Sequence, residues 1–157
     1  MKSALRELKI NKGFTLIELL VVIGILAILL SIVLIAINPA RQFGQANDTR
    51  RRSEVTQILN AVGAYAADNR GVLPAAISAL AADTATPISN TGADLCADLV
   101  TNYIPALPQD PQQGTGTAIT DCTAAYDTGY TVAHDANGRV TVSAPLYEGD
   151  TAISNTR

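Results

Sequence analysis

Tryptophan is absent from this chain of 157 residues, phenylalanine occurs twice, and histidine and methionine once each. A core built on large rings is therefore excluded. Ala, Val, Leu and Ile, with five tyrosines, must supply it, and at roughly 25 cal/mol per Å² of apolar area such a small core is marginal. The single histidine, His134, and two cysteines far apart in sequence, Cys96 and Cys122, do not make a zinc set. No phosphate-binding loop, nucleophile elbow or carboxylate pair of catalytic spacing occurs. The chain does not read as an enzyme. Lysine is also scarce, confined to Lys2, Lys9 and Lys12. From Phe14 onward seven arginines face thirteen acids, and beyond Gly71 only Arg139 and Arg157 face nine. That balance argues against a nucleic-acid partner, because duplex binding rests on neutralising phosphates.

What the chain has instead is one long apolar run. From Phe14 to Ile37 only Thr15, Glu18, Gly24 and Ser31 interrupt it. As a helix this stretch rises about 36 Å, enough to cross a hydrocarbon core of roughly 30 Å. Glu18 is the anomaly, since a carboxylate at the bilayer centre costs on the order of 2.5 to 3.5 kcal/mol. An intramembrane acid is a functional residue by default. The preceding Lys2, Arg6, Lys9 and Lys12, against Glu7 alone, form the basic head of a secretory signal. The apolar run is too long for an ordinary cleavable signal, Ile35-Ala36-Ile37-Asn38-Pro39 is a poor cleavage site behind it, and no cysteine follows for a lipid anchor. An uncleaved signal anchor is the plain reading of hydropathy alone.

The stretch Lys12-Gly13-Phe14-Thr15-Leu16-Ile17-Glu18-Leu19-Leu20-Val21-Val22-Ile23 resembles the prepilin signature of type IV pilins and of the pseudopilins of type II secretion systems. The resemblance implies that a prepilin peptidase cuts between Gly13 and Phe14 on the cytoplasmic side and that Phe14, the new N-terminus, is then N-methylated. A glycine suits that cut, since without a side chain the backbone enters a protease site closely. The resemblance also gives Glu18 a role, pairing with the Phe14 amine of a neighbouring subunit so that neither charge lies bare in an apolar filament core. The competing reading of Glu18 is a macrodipole preference worth about 0.3 to 1 kcal/mol.

Four parts follow: a leader over 1–13 that is removed, a membrane and filament-core helix over 14–37, an amphipathic continuation over 38–70, and an extracytoplasmic head over 71–157. At Asn38-Pro39 the spine either restarts, with Asn38 as cap and Pro39 in the first turn, or kinks. Relatives often carry a proline about one turn earlier. Val55, Ile58, Leu59, Val62 and Tyr65 form one apolar face of the continuation. Arg50-Arg51-Arg52, Glu54 and Asp68 read as its polar side, the arginines solvated or pairing with the acidic heads of neighbours. Gly71 is placed to cap this helix and Pro74 forbids its resumption. Short helices are expected near Pro74–Ala82 and Asp94–Tyr103, with Thr84–Gly92 a polar loop between them. Alternating residues around Asn137-Gly138 predict a hairpin, with strands over Tyr126–His134 and Arg139–Leu146. The polar stretch after Tyr147 is expected to be mobile.

The expected class is α+β, a type IV pilin-like fold whose spine helix packs its outer half on a small antiparallel sheet. An even cysteine count on the exported side predicts a Cys96 to Cys122 disulfide. No cofactor is expected. The one metal alternative is calcium, which major pseudopilins bind near their C-terminal end. Its candidate ligands here are Asp121, Asp127 and Asp135, with Asp110 and Asn137 nearby, although nothing fits an EF-hand spacing. The implied function is a structural subunit of a type IV pilus for adhesion, twitching motility or DNA uptake. Its partners would be copies of itself in a helical filament, the prepilin peptidase, the assembly platform and minor pilins. It would pass from the cytoplasmic membrane to the cell surface. The alternatives are a pseudopilin and a signal-anchored extracytoplasmic binding domain.

Overall fold

The computed structural model describes residues 13–157, so the expected leader, apart from Gly13, lies outside the described residues. The chain divides into two compact units, 1–39 and 40–157. The first contains α1, Leu16–Ile37, with Thr15 as its cap in an extended conformation. The run of Leu, Ile and Val from Leu16 to Ala36 has a mean hydropathy of 3.3, and its residues are exposed. No amphipathic stripe divides it. Such a helix has no stable place in water and requires lipid or other apolar helices around it.

Helix α1 stops at Asn38, which adopts the left-handed conformation (φ 41°), and Pro39 opens α2, Pro39–Asp68. Of the two expected outcomes at Asn38-Pro39 the restart is observed. Proline is tolerated there because a first-turn amide has no intrahelical acceptor anyway. At the far end the Gly71 amide (φ 86°) reaches back to the Ala66 carbonyl at 2.7 Å, closing α2.

In the second unit the expected apolar face of α2 is buried at Val55, Ile58, Leu59 and Val62, and Ala61 joins it. These residues pack with the inner face of a four-stranded antiparallel sheet, order β1-β2-β3-β4. The central hairpin pairs β2, Asp127–His134, with β3, Val140–Ala144. Tyr130 and Val132 of β2 and Val140, Val142 and Ala144 of β3 point inward, at the alternate positions the pleat dictates. The turn is held by Asp135, whose carboxylate accepts the Asn137 and Arg139 amides, and Gly138 (φ 79°) takes the left-handed position.

Two strands depart from the sequence reading. β1, Thr86–Ser89, lies within the expected loop, and β4, Ile153–Thr156, lies in the stretch expected to be mobile. Each carries only one inward isoleucine, Ile88 or Ile153, so neither shows alternation. Their order comes from pairing with β2 and β3, a long-range contact that local pattern does not encode. Both also sit at sheet edges, where Pro87 is tolerated. The expected short helices are single turns, α3 at Ala75–Ser78 and α4 at Cys96–Leu99.

Candidate functional site

The start of α1 is a reciprocal cap. Thr15 Oγ1 accepts the Glu18 amide at 3.2 Å, while Glu18 Oε2 accepts the Thr15 amide at 2.8 Å and the Thr15 hydroxyl at 2.7 Å. This local pairing follows from Thr and Glu three residues apart at a helix start. It holds the carboxylate toward the beginning of the chain's apolar helix. Both bonds fall on Oε2, and Oε1 has no partner among the described residues. Phe14, just outside the cap, is 91% exposed, and with Ile17, Glu18, Val21 and Val22 it borders a shallow, apolar depression. Nothing among the described residues approaches the position of a side chain on Gly13. The fold itself therefore makes no demand for glycine there, and the demand would come from whatever binds that peptide bond.

In the second unit the arginine run behaves differently from expectation. Arg52 is exposed, Arg50 is half-exposed, and Arg51 is fully buried. The helical twist turns Arg51 onto the face shared with Asp48, Glu54 and Val55. Its guanidinium makes a two-pronged pair with Asp110, Nε to Oδ2 at 2.6 Å and Nη2 to Oδ1 at 2.9 Å. Nη1 reaches Asp48 Oδ1 at 2.9 Å and Glu148 Oε1 at 3.2 Å. Asp48 also accepts the Glu148 and Gly149 amides, and Glu148 accepts Asn47 Nδ2. One arginine thus ties α2 to the loop at Asp110 and to the loop at Glu148. Beside it Glu54 takes Arg50 Nε at 2.6 Å and the Tyr130 hydroxyl. Among the described residues no buried side-chain polar atom is left without a partner. A run of three arginines gives no sign of which one turns inward; the clue was Asp48 one turn earlier on the same face.

The network sets the protonation of its members. Hydrogen bonding to Asp110 holds the Arg51 guanidinium above its ordinary value despite burial. Burial would raise the Asp48 carboxyl, but the amides of Glu148 and Gly149 and the Arg51 guanidinium outweigh it, leaving a net lowering. Burial, then the hydrogen bond to Glu54, pushes the Tyr130 hydroxyl up, and burial with Asp94 does the same for Tyr126. Folding therefore retains two phenolic protons that the unfolded chain releases from about pH 10. Stability falls as pH rises through that range, because the unfolded state binds fewer protons. In an alkaline titration followed at 295 nm, Tyr126 and Tyr130 are expected to stay protonated when exposed tyrosines ionise, and to titrate only with unfolding.

Cys96 and Cys122 are joined in a disulfide, Cα to Cα 5.4 Å, with Cys96 fully buried. It closes the loop that carries Asp110 and its neighbours. Cys96→Ser with Cys122→Ser is expected to lower unfolding free energy by about 3.5 kcal/mol, the chain-entropy value for a loop of this length, read by thermal denaturation. The carboxylates named for calcium each serve a local turn. Asp121 accepts from Thr123, Asp127 from Gln113 and Gly129, and Asp135 from Asn137 and Arg139. Among the described residues no group of three or more His, Cys, Asp or Glu is gathered to hold a metal ion. His134 lies between the carbonyls of Leu80 and Asp135, both at 3.1 Å.

Residues 8–34 match the family model of the prokaryotic N-terminal methylation motif. The match covers Gly13, Phe14, Glu18 and most of α1, and nothing after residue 34. No curated protein and no solved structure matches the chain.

Proposed function

We propose that this chain, which carries the cleavage and methylation signature of the type IV pilin and pseudopilin superfamily, is a pilin that polymerises through its first helix into a type IV pilus. The signature implies processing by a prepilin peptidase; in this reading the cut falls between Gly13 and Phe14, and Phe14 is methylated. The head over 71–157 and the outer spine over 38–70 are exported, and the helix over 14–37 waits in the cytoplasmic membrane until assembly. On the surface the filament serves adhesion, twitching motility or DNA uptake. The observation that carries the reading is the join of that signature to a helix with no buried residue and a half-satisfied carboxylate at its head. Lipid accommodates the apolar helix, and a cation would both complete the hydrogen bonding of Glu18 and neutralise its charge there. The amine created at Phe14 of an adjacent subunit is such a cation, and pairing removes two charges from an apolar interior together.

A pseudopilin is the second reading. One feature favours it: the disulfide precedes the central hairpin, and the last strand is held by sheet pairing and not by a cysteine. Two measurements separate the readings. Intact mass of the native protein is expected to correspond to a chain beginning at N-methylated Phe14, whereas a signal-anchored binding domain retains Met1. Electron microscopy of sheared surface filaments is expected to show this chain along their length. Its absence along long filaments, with processing intact, overturns the reading as the main pilus subunit in favour of a minor pilin or a pseudopilin.

A further inference from the structure

Charge in the second unit is sorted along the sheet. No lysine or arginine occurs between Gly71 and Gly138; Arg41, Arg50, Arg51 and Arg52 lie on α2 and Arg157 follows β4, while Arg70 lies just past α2 and Arg139, paired with Asp135, lies in the β2–β3 turn. β4 is fastened to the polar side of α2 by Asn155 Nδ2 to Thr56 Oγ1 and by Arg157 Nη1 to Asn60 Oδ1 at 3.0 Å. On that side Arg41 and Arg52 line an open groove of about 710 Å³ between α2 and the loop at Glu148, where Asp150 shares the rim. Neither arginine has an ion pair among the described residues. β1 forms the other edge of the sheet. The segment carrying Asp94 and, on α4, Asp98, and the loop carrying Asp121, are anchored there, by the Ala93 amide to the Pro87 carbonyl and by the Tyr126 amide to Asn90, and the Cys96–Cys122 bond holds them together. None of these three acids has an ion pair among the described residues either.

We propose that the arginine edge, centred on Arg52, docks against the acidic β1 edge of a second copy of this chain. The partner follows from complementarity: each copy presents an unpaired cationic edge and an unpaired anionic one. Because the two patches lie at opposite sheet edges, the contact is heterologous. Joined head to tail it does not close in a pair but propagates, as a filament requires. Such contacts set register and exclude wrong partners more than they supply affinity, which stays with the apolar helices. The inference rests on the filament reading above and specifies how its heads meet.

The absence of lysine from Phe14 onward makes a direct test available. Arg52→Lys keeps the charge and introduces the only side-chain amine of the processed chain. Sheared filaments of this variant are treated with a water-soluble carbodiimide, which joins an amine to a touching carboxylate as an amide, the water being taken up by the reagent. The expected result is a subunit-to-subunit product, absent from wild-type filaments, whose peptide map links position 52 to Asp94, Asp98 or Asp121 of an isotopically distinct copy. Filaments that give no such product, or a link only within one subunit to Asp150 or Glu148, overturn the docking and leave the filament reading standing. If no filament containing the wild-type chain forms at all, the filament reading falls first, before any reagent is added, and the docking with it.

Discussion

A Glu18→Ala chain is expected to be cut after Gly13 and retained in the membrane as usual, yet to yield almost no filament. Removing one partner of a desolvated charge pair costs about 3 kcal/mol, or ~150-fold in the association constant of each contact, mostly because the other charge is stranded. In a polymer each added subunit meets that penalty again. Glu18→Gln separates the two roles of the side chain. A glutamine keeps the reciprocal cap with Thr15, since the two bonds that the Glu18 side chain accepts both fall on the single oxygen Oε2 in the native chain, but it carries no charge. If charge pairing drives assembly, Glu18→Gln fails nearly as completely as Glu18→Ala. Full filament yield from the glutamine variant, measured by quantifying the sheared fraction, would mean that Glu18 acts only as a cap.

The second large effect is expected in the second unit. Arg51→Met should lower unfolding free energy by about 3 to 5 kcal/mol, the range for breaking a buried pair and leaving its acids unanswered. Three carboxylates, Asp48, Asp110 and Glu148, lose their common cation. Arg51→Lys is not expected to restore much, because an ammonium cannot reproduce the two-pronged geometry on Asp110. The exposed neighbour supplies the control: Arg52→Ala should change stability by no more than about 0.5 kcal/mol. Thermal unfolding of the detergent-solubilised chain reads all three. The same network gives the second unit an acid limit. Since the Asp48 carboxyl is lowered in the folded state, its contribution is fully present above the ordinary carboxylate range near pH 4 and is lost as pH falls further. Asp48→Asn should flatten the dependence of melting temperature on pH below about 4, and an unchanged slope would assign the acid limit to other groups.

Local pattern made the central parts legible. The Asn137-Gly138 turn and the alternating valines on either side locate the hairpin within a residue or two, because register there is set by adjacent chain. The apolar face of α2 was legible for the same reason, its spacing being a property of one helix. What escaped were partners brought from afar. Ser154, Asn155 and Thr156 have no strand pattern of their own and are ordered by β3. Arg51 looked like part of a solvated run, and only its four acceptor residues, Asp48 on α2 and Asp110, Gln112 and Glu148 from loops some sixty and a hundred residues away, make its burial tolerable.

The sequence by itself determined the first helix and its chemistry: a signature around Gly13 and Phe14, an apolar length that demands lipid or like helices, and a carboxylate at its head. Each of these is written in consecutive residues, so neither folding nor partners are needed to read it. Only the tertiary structure decided which arginine is buried in an ion-pair network and which stay exposed, and which residues stand at each edge of the sheet. Those distinctions depend on helical phase, strand order and long-range pairing, which separate residues that are neighbours in the chain and join others that are not.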